Sequence, residues 1–420
     1  MTESNHHQAD ANCDASSATD SDIKSDTGSD VIVIGAGMVG AAAALGCARQ
    51  GLQVVLVEAF EPNTEFNPGF VNNRVSALTR ASENLLVDLG IWPDMKRMRV
   101  EPYTDMHVWD ASGKGSIHFD AAEIAEPSLG HIVENHVTQL ALWKALQQHE
   151  KVSTVCPDKV VDVDRDGSGS KVRLASGLTL TASLVVVADG KKSAVRDMLA
   201  IETSGWLYDQ HAIVATITTE KGHQHTAWQR FMEKGPLALL PLGHNNDKSC
   251  SIVWSTSPQQ AEQLMAQDEQ AFCAALTEAS EGVLGNVIKV EDRGVFPLEL
   301  KHAKTYIREG FVLVGDAAHA IHPLAGQGVN LGFLDVIALL EVISNARSQQ
   351  RDIGGMHTLR KFERERKGSN ITMLAAMDGF KRLFSNDDML LSKMRNTGLS
   401  FVDNLGPLKQ FFVRYAMGLD

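Results

Sequence analysis

A chain of 420 residues with 44% hydrophobic and 22% charged side chains has material for a sizeable core, which excludes wholesale disorder and a bare binding module. Its formal charge of -13 would repel a phosphate backbone, so nucleic acid is excluded as a partner class. Five cysteines, at positions 13, 47, 156, 250 and 273, form no CxxC spacing and no even framework, and a reducing, cytoplasmic compartment is the expectation.

Met1 to Asp30 carries seven acids against one lysine and is rich in Ser, Thr, Asp and Ala. Such a stretch cannot bury enough apolar area to offset its ordering entropy, so residues 1–29 are expected to form a disordered acidic tail. No run approaches the ~18 consecutive apolar residues of a bilayer span, and no basic n-region precedes an apolar stretch. The chain is therefore expected to be neither spanning nor secreted.

Val31-Ile-Val-Ile34 is a continuous apolar run suited to a strand buried on both faces of a parallel sheet. Gly35-Ala-Gly37-Met-Val-Gly40 follows, leading into an alanine-rich helix from Ala41 to Gln50, a stop at Gly51 and a second strand from Gln53 to Val57. The spacing predicts a βαβ unit opening a doubly wound domain, with Glu58 at the end of the second strand. There Gly35 permits the tight turn, Gly37 lets a pyrophosphate approach the backbone at the helix N-terminus, and Gly40 lets helix and strand pack closely. Glu58 is placed to accept from ribose hydroxyls and to repel a 2′-phosphate.

Leu184-Val-Val-Val187 and Phe311-Val-Leu-Val314 read as two more buried strands, emptying into the polar turns Ala188-Asp189-Gly190 and Gly315-Asp316-Ala-Ala-His319. Open α/β sheets hold ligands at such strand ends. Between them, His211 to Thr219, Ala238 to Leu242 and Ser249 to Trp254 are strand-like and separated by polar turns, which predicts an inserted sheet domain. Pro323-Leu-Ala-Gly326-Gln327-Gly328-Val329-Asn330 is a glycine-rich loop opening a long helix that carries Asp335 and runs to about Ala346. The remainder is helical in pattern, with 12 basic against 8 acidic side chains from Arg351 onward. The expected organisation is a tail (1–29), a dinucleotide-binding domain in two parts (30–204 and 298–350), an inserted substrate domain (205–297) and a helical C-terminal segment (351–420).

His319 and His322 stand beside the glycine-rich loop, but two histidines make an incomplete ligand set, so packing or orientation roles are expected and no metal. His223 and His225 fall in a polar turn and are expected in solvent. Cys47 is expected to be a small core hydrophobe.

Taken together, Gly35-x-Gly37-x-x-Gly40 with Glu58, Asp189-Gly190, and Gly315-Asp316 followed by Pro323-x-x-Gly326-Gln327-Gly328 resemble the single-component FAD monooxygenases, the flavoprotein aromatic hydroxylases. More closely, Asn73-Arg74-Val-Ser-Ala77-Leu78, Leu129-Gly-His-Ile-Val-Glu134-Asn135 and His322-Pro-Leu-Ala-Gly-Gln-Gly-Val-Asn-Leu-Gly332 are similar to the ubiquinone-biosynthesis hydroxylases, the UbiH, UbiF and UbiI (VisC) group, with the likeness running from about Asp30 to Leu419. Tyr208 to Thr216, Cys250 to Trp254 and Phe362-Glu-Arg364-Glu-Arg366-Lys367 most resemble the UbiI type, a 2-polyprenylphenol hydroxylase.

The resemblance implies an α/β fold: a Rossmann-like FAD-binding domain, an inserted mixed β-sheet substrate domain and a helical C-terminal segment. It implies FAD as cofactor, with Gly35, Gly37, Gly40 and Glu58 at the ADP half and Arg74 near the flavin. Asp316 falls at the ribityl chain, and Asp189 in a motif linked to FAD and to a nicotinamide donor. Pro323, Gly326, Gln327, Gly328, Val329 and Asn330 form the flavin loop, whose backbone around Gly326, Gln327 and Gly328 would stabilise negative charge on reduction. Asn135 stands where more distant hydroxylases carry arginine. The implied reaction takes electrons from NAD(P)H or another donor and delivers one oxygen atom of O2, through a C4a-hydroperoxyflavin, to a polyprenylphenol ring, with C5-type hydroxylation expected. Water must be excluded, and Leu237 to Leu242, Trp254, Phe296, Pro297 and Leu324 are candidates for a dry wall, with ordinary core as their other reading. Implied partners are the lipid substrate and a ubiquinone-biosynthesis protein assembly. A reductase or oxidase on the same fold, and a flavin-bearing subunit without turnover, are alternative readings. Leu408, Phe411, Phe412, Tyr415, Ala416 and Leu419 form one apolar helical face in a basic region, suited to peripheral membrane contact or to packing on protein.

Overall fold

The computed structural model describes residues 28–111, 115–244, 247–320 and 328–384, with side chains described as far as 372. The C-terminal apolar face, His322, Pro323, Leu324, Gly326 and Gln327 lie outside the described residues. Strand β1 (Ser29–Ile34), helix α1 (Met38–Arg49) and strand β2 (Val54–Val57) form the expected βαβ unit. Val31, Ile32 and Val33 are fully buried because the sheet is covered on both faces. Every residue of α1 from Gly40 to Ala48 is buried too, so its small alanines let it sit deep between sheet and neighbouring helices.

The first sheet runs Ile307–Arg308, Phe311–Leu313, Thr179–Val187, β1, β2, Val152–Val155, and the four central pairings from Phe311–Leu313 to Val152–Val155 are parallel. Its register aligns Ile34 with Val57 and Val187, and Val187 with Leu313. Four strand ends therefore open at one level, and the turns after them converge there.

The second sheet has eight strands, in the order His319–Ala320, Val287–Ala303, Thr203–Thr219, Ser249–Thr256, Gly235–Leu242, Thr226–Met232, Asp105–Asp110, Ser116–Asp120. It extends beyond the expected 205–297 insert, taking in the hairpin Asp105–Asp110/Ser116–Asp120, whose inner strand pairs in parallel with Thr226–Met232. That partner lies more than a hundred residues away, so no local pattern announces it. Thr203–Thr219 and Val287–Ala303 are 17 residues each and pair with three register irregularities. These let one ribbon bend from the first domain into the second. Helices Pro258–Met265 and Glu269–Ala279, capped by Ser257 and Asp268, cover one face of this sheet around Phe272.

Helix Gly328–Ser348 is apolar and long enough to cross a membrane by length and composition. Its buried side, including Phe333, Val336, Leu339 and Ile343, packs in the main core, so it is the central core helix here. Helix Met356–Phe384 packs against it.

Two buried histidines make the fold sensitive to acid. His131 packs edge-on against Trp92, at 5.0 Å between ring centroids, and burial, then Arg80 and Lys96, pushes its pKa down from 6.5 to about 4. His302 is pushed down to about 4 by burial, then by His319 and Lys367. Both stay neutral in the fold over a range where the unfolded chain takes up protons. Stability should therefore fall as pH drops from 6.5 towards about 4, by up to about 1.4 kcal/mol per pH unit for each. Urea unfolding across this range checks it, and His302→Gln should flatten the slope.

Candidate functional site

A cavity of about 400 Å³ lies where the converging turns of the first sheet face the second. One wall is made by the turn before α1, by Asn73 and Arg74 entering the strand Val75–Leu78, by Gly190 and Lys191, by Gly315 and Asp316, and by Gly328 and Val329. The other is made by Val214, Val253 and residues 296–299 of the long ribbon.

The glycines explain why the turn can exist. Gly35 adopts φ +100°, and a Cβ there would run into the carbonyl of Ala188. A Cβ on Gly40 would run into the carbonyl of Gly35, so helix and strand meet backbone to backbone. By contrast, a Cβ on Gly37 or Gly328 would meet nothing within 4 Å, so both backbones stand open to the cavity they line. Glu58 closes the turn from below: Oε2 accepts from the Ala36 amide at 2.6 Å and Oε1 from the Phe60 amide at 3.0 Å. Each oxygen keeps a second lone pair for a ribose hydroxyl.

Asp189 Oδ2 accepts from the Val195 amide at 3.2 Å, while its Oδ1 is buried with no hydrogen-bond partner within the protein. Burial raises its carboxyl above the ordinary range, against hydrogen bonds from Ser193 and the Val195 and Ala194 amides. Asp316 faces the cavity with its residue surface exposed, yet the surrounding protein pushes its carboxyl up, opposed by His319, Lys191 and Arg74. Asp189 is not among the residues that line the cavity; open glycine backbone at a helix start and the Asp316 carboxylate turned into it suit a dinucleotide with a pyrophosphate and a hydroxyl-rich chain.

The turn carrying Asp316 is held from behind by Asp335, which is fully buried. Oδ2 accepts from the Gly315 amide at 3.0 Å and from His319 Nε2 at 2.6 Å; Oδ1 accepts from Arg366 Nε at 2.9 Å and Asn370 Nδ2 at 3.3 Å. Burial raises this carboxyl, but His319 and Arg366 outweigh it and hold the group below the ordinary carboxylate range. His319 thus has the orientation role expected of it, with an acidic partner that lies 16 positions along the chain.

Several expected residues are placed differently. Asn330, expected at the cofactor, is buried with its amide engaged elsewhere: Oδ1 accepts from the Thr79 amide at 3.1 Å and Ser82 Oγ at 2.7 Å, and Nδ2 donates to the Ala77 carbonyl at 2.8 Å. It pins the long helix to the strand–helix junction beneath the cavity. Phe296 and Pro297 line the cavity, whereas Leu237 and Trp254 point to the opposite face of the sheet and pack with Phe272. The alternation of strand side chains separates them from Val253. His223, expected in solvent, is fully buried, because its Nε2 lies 3.3 Å from the Leu242 carbonyl beneath the turn; His225 is exposed as expected. Cys47 is buried in the core, and burial pushes its thiol up to about 12. The sequence reading named Asn73 in a motif without giving it a role and missed Lys191; Lys191 directly follows Asp189-Gly190 and pairs with Glu299 at 3.0 Å across the two walls.

Such a fold and site define a flavin-binding oxidoreductase. The family described as "FAD binding domain" matches residues 28–371. The chain is 38% identical to the 3-demethoxyubiquinol 3-hydroxylase of Escherichia coli (strain K12), over 93% of this chain and 98% of that protein. It is 37% identical to the ubiquinone biosynthesis monooxygenase COQ6, mitochondrial, of Danio rerio, over 92% of this chain and 89% of that one. With the ubiquinone hydroxylase UbiL of Rhodospirillum rubrum the identity is 35%, over 93% and 89%. The crystal structure of p-nitrophenol 4-monooxygenase PnpA from Pseudomonas putida DLL-E4 has the same fold, with a TM-score of 0.74 at 18% identity, covering 93% of this chain and 98% of that one. The chain belongs to the FAD-binding monooxygenases, within the group of ubiquinone-biosynthesis hydroxylases. Its cofactor is FAD, and NAD(P)H is the electron donor typical of the family.

Two sets of substitutions check this geometry. Gly37→Ala should fold normally and lose flavin affinity by roughly tenfold or more, about 1.4 kcal/mol, whereas Gly40→Ala should destabilise the fold itself. Flavin retention and urea midpoints separate the two. Asp335→Asn leaves Arg366 buried without its charge partner and should cost about 3–5 kcal/mol, part of which Asp335→Asn/Arg366→Met should recover.

Proposed function

We propose that this chain hydroxylates the ring of a 2-polyprenylphenol at the C5-type position, drawing electrons from NAD(P)H and one oxygen atom from O2. The observation that carries this reading is the split lining of the cavity: charge and open backbone on the dinucleotide side, and Val214, Val253, Phe296 and Leu298 on the other. FAD, when bound, supplies the oxygen-activating chemistry. Gly35, Gly37, Gly40 and Glu58 would hold its ADP half, Asp316 its ribityl hydroxyls, and the backbone at Gly328 and Val329 its ring end. The chain's own task is then to orient a phenol and exclude water from it, which the apolar wall does. No side-chain base is assigned, since a phenol ring is already electron-rich. A lipid substrate also calls for contact with a membrane surface and with the proteins that make and consume it.

A second ring position is favoured by the 38% relative, named a 3-demethoxyubiquinol 3-hydroxylase. Deleting the gene separates the two. The first reading expects a 2-polyprenylphenol to accumulate, and the second a demethoxylated quinol. Labelled O2 should place one oxygen atom in the product, and a labelled-water result would remove both readings. Tail-less phenols should be poor or uncoupled substrates, because each buried CH2 contributes roughly 0.8 kcal/mol.

A further inference from the structure

The cavity of about 400 Å³ has to take a flavin ring and a substrate ring together, and pockets that hold one drug-sized molecule run from about 300 to 1,000 Å³. An apolar tail on the substrate therefore has to leave it along one wall. On the dinucleotide side that wall carries Arg74, Lys191 and Asp316, whose charges a hydrocarbon would strip of water. The other side offers Phe296 and Leu298 on the strand Val287–Ala303 and Val253 on the strand Ser249–Thr256.

This apolar surface does not stop at the cavity. Phe296 and Val253 pack against a buried cluster of Tyr208, Ala212, Leu298 and Leu300, which carries it along the ribbon. Trp206 stands opposite Leu300 in the ladder, so its side chain shares that face, and its ring meets the Tyr208 ring edge-on with centroids 6.0 Å apart. Yet Trp206 is 49% exposed, while Tyr208 and Leu300 beside it are buried. The track thus ends on a large aromatic side chain left half in water, and tryptophan has more apolar area to gain from cover than almost any other residue. From Phe296 to Leu300 the strand advances about 13 Å, at ~3.3 Å per residue.

We propose that this face of the ribbon, from Phe296 and Leu298 past Tyr208 to Trp206, is the groove that takes the substrate's apolar tail, with Trp206 as its outer edge. The inference rests on the reading of the substrate as a polyprenylphenol and adds where its tail lies. With the ring between Val253 and Phe296, the tail starts inside the cavity, runs along Leu298 and Leu300 and is covered by Trp206 at its far end, a path of roughly three isoprene units. The gain along it comes from apolar area removed from water, so affinity grows with tail length until Trp206 is reached.

The test is a titration of the full, FAD-loaded chain with phenol, 2-prenylphenol, 2-geranylphenol and 2-farnesylphenol, read by flavin absorbance and by calorimetry. In the wild type the dissociation constant should fall by roughly tenfold or more for each added isoprene unit. Trp206→Ser should weaken 2-farnesylphenol by roughly tenfold while leaving phenol and 2-prenylphenol unchanged, and Trp206→Phe should restore most of that loss. Ile288→Ser, at an exposed apolar position towards the other end of the same ribbon, should alter none of them. Because Trp206 is half exposed, its variants keep the fold. If the wild type prefers longer tails and Trp206→Ser keeps that preference in full, the tail runs elsewhere: the groove is overturned and the substrate reading stands. If no phenol of the series binds the wild type, or all bind alike, the substrate reading falls and the groove falls with it.

Discussion

The site depends on a single buried carboxylate. Asp335 sits inside the core with four donors around its two oxygens, from three different parts of the chain. A buried charge is tolerable only when its lone pairs are filled and an opposite charge is close, and Arg366 and His319 meet both conditions. The Gly315 turn, the strand His319–Ala320 and the helix Met356–Phe384 are therefore fixed relative to one helix, Gly328–Ser348. The same network reaches Tyr306, whose hydroxyl lies 2.9 Å from His302 Nε2 and accepts from Asn370 at 3.3 Å. Asp316, which faces the cavity, is positioned from behind by groups that never touch it.

Along the same wall of the cavity, at the turn before α1, the constraint is steric. Gly35 and Gly40 press against the carbonyls of Ala188 and Gly35, so the first turn is set by backbone contact alone. Gly332 continues this pattern, since a Cβ there would meet Val39 and the Gly315 backbone. Three turns from three distant segments thus close on one another with only the small side chains of Val39 and Ala188 between them, and the backbone at Gly37 and Gly328 is left open to the cavity.

The βαβ unit was legible because its information is local: an apolar run, three glycines at fixed spacing and an acid at the next strand end. The helix carrying Asp335 could likewise be read from its glycine-rich start. What could not be read is what depends on long-range pairing. Asp105–Asp110 has no clear alternation, and its place in the second sheet is settled by Thr226–Met232 far along the chain. His223 looked solvent-bound because a His-Gln-His turn is polar in sequence; only the fold brings the Leu242 carbonyl beneath it. Asn330 lies within the glycine-rich motif and so was grouped with the cofactor residues, yet its amide ties Ala77, Thr79 and Ser82 to the helix. Motif membership marked the segment, but not which way each side chain points.

These two kinds of information correspond to two demands of the chemistry. Binding a charged dinucleotide requires exposed backbone donors and fixed carboxylates, which short local motifs on a parallel sheet can provide. Keeping water from a reactive centre requires an apolar wall opposite them, and that wall is assembled by a twisted antiparallel sheet whose long ribbon bends at its register irregularities to reach the cavity. The Lys191–Glu299 pair bridges the two walls at 3.0 Å, with Lys191 about one-third and Glu299 about one-quarter exposed. An ion pair with that much contact with water is weak enough to open and close at little cost. The two walls are therefore joined by the continuous ribbon and, at this bridge, only by a weak ion pair, which suits a cavity that opens to solvent and then shuts water out.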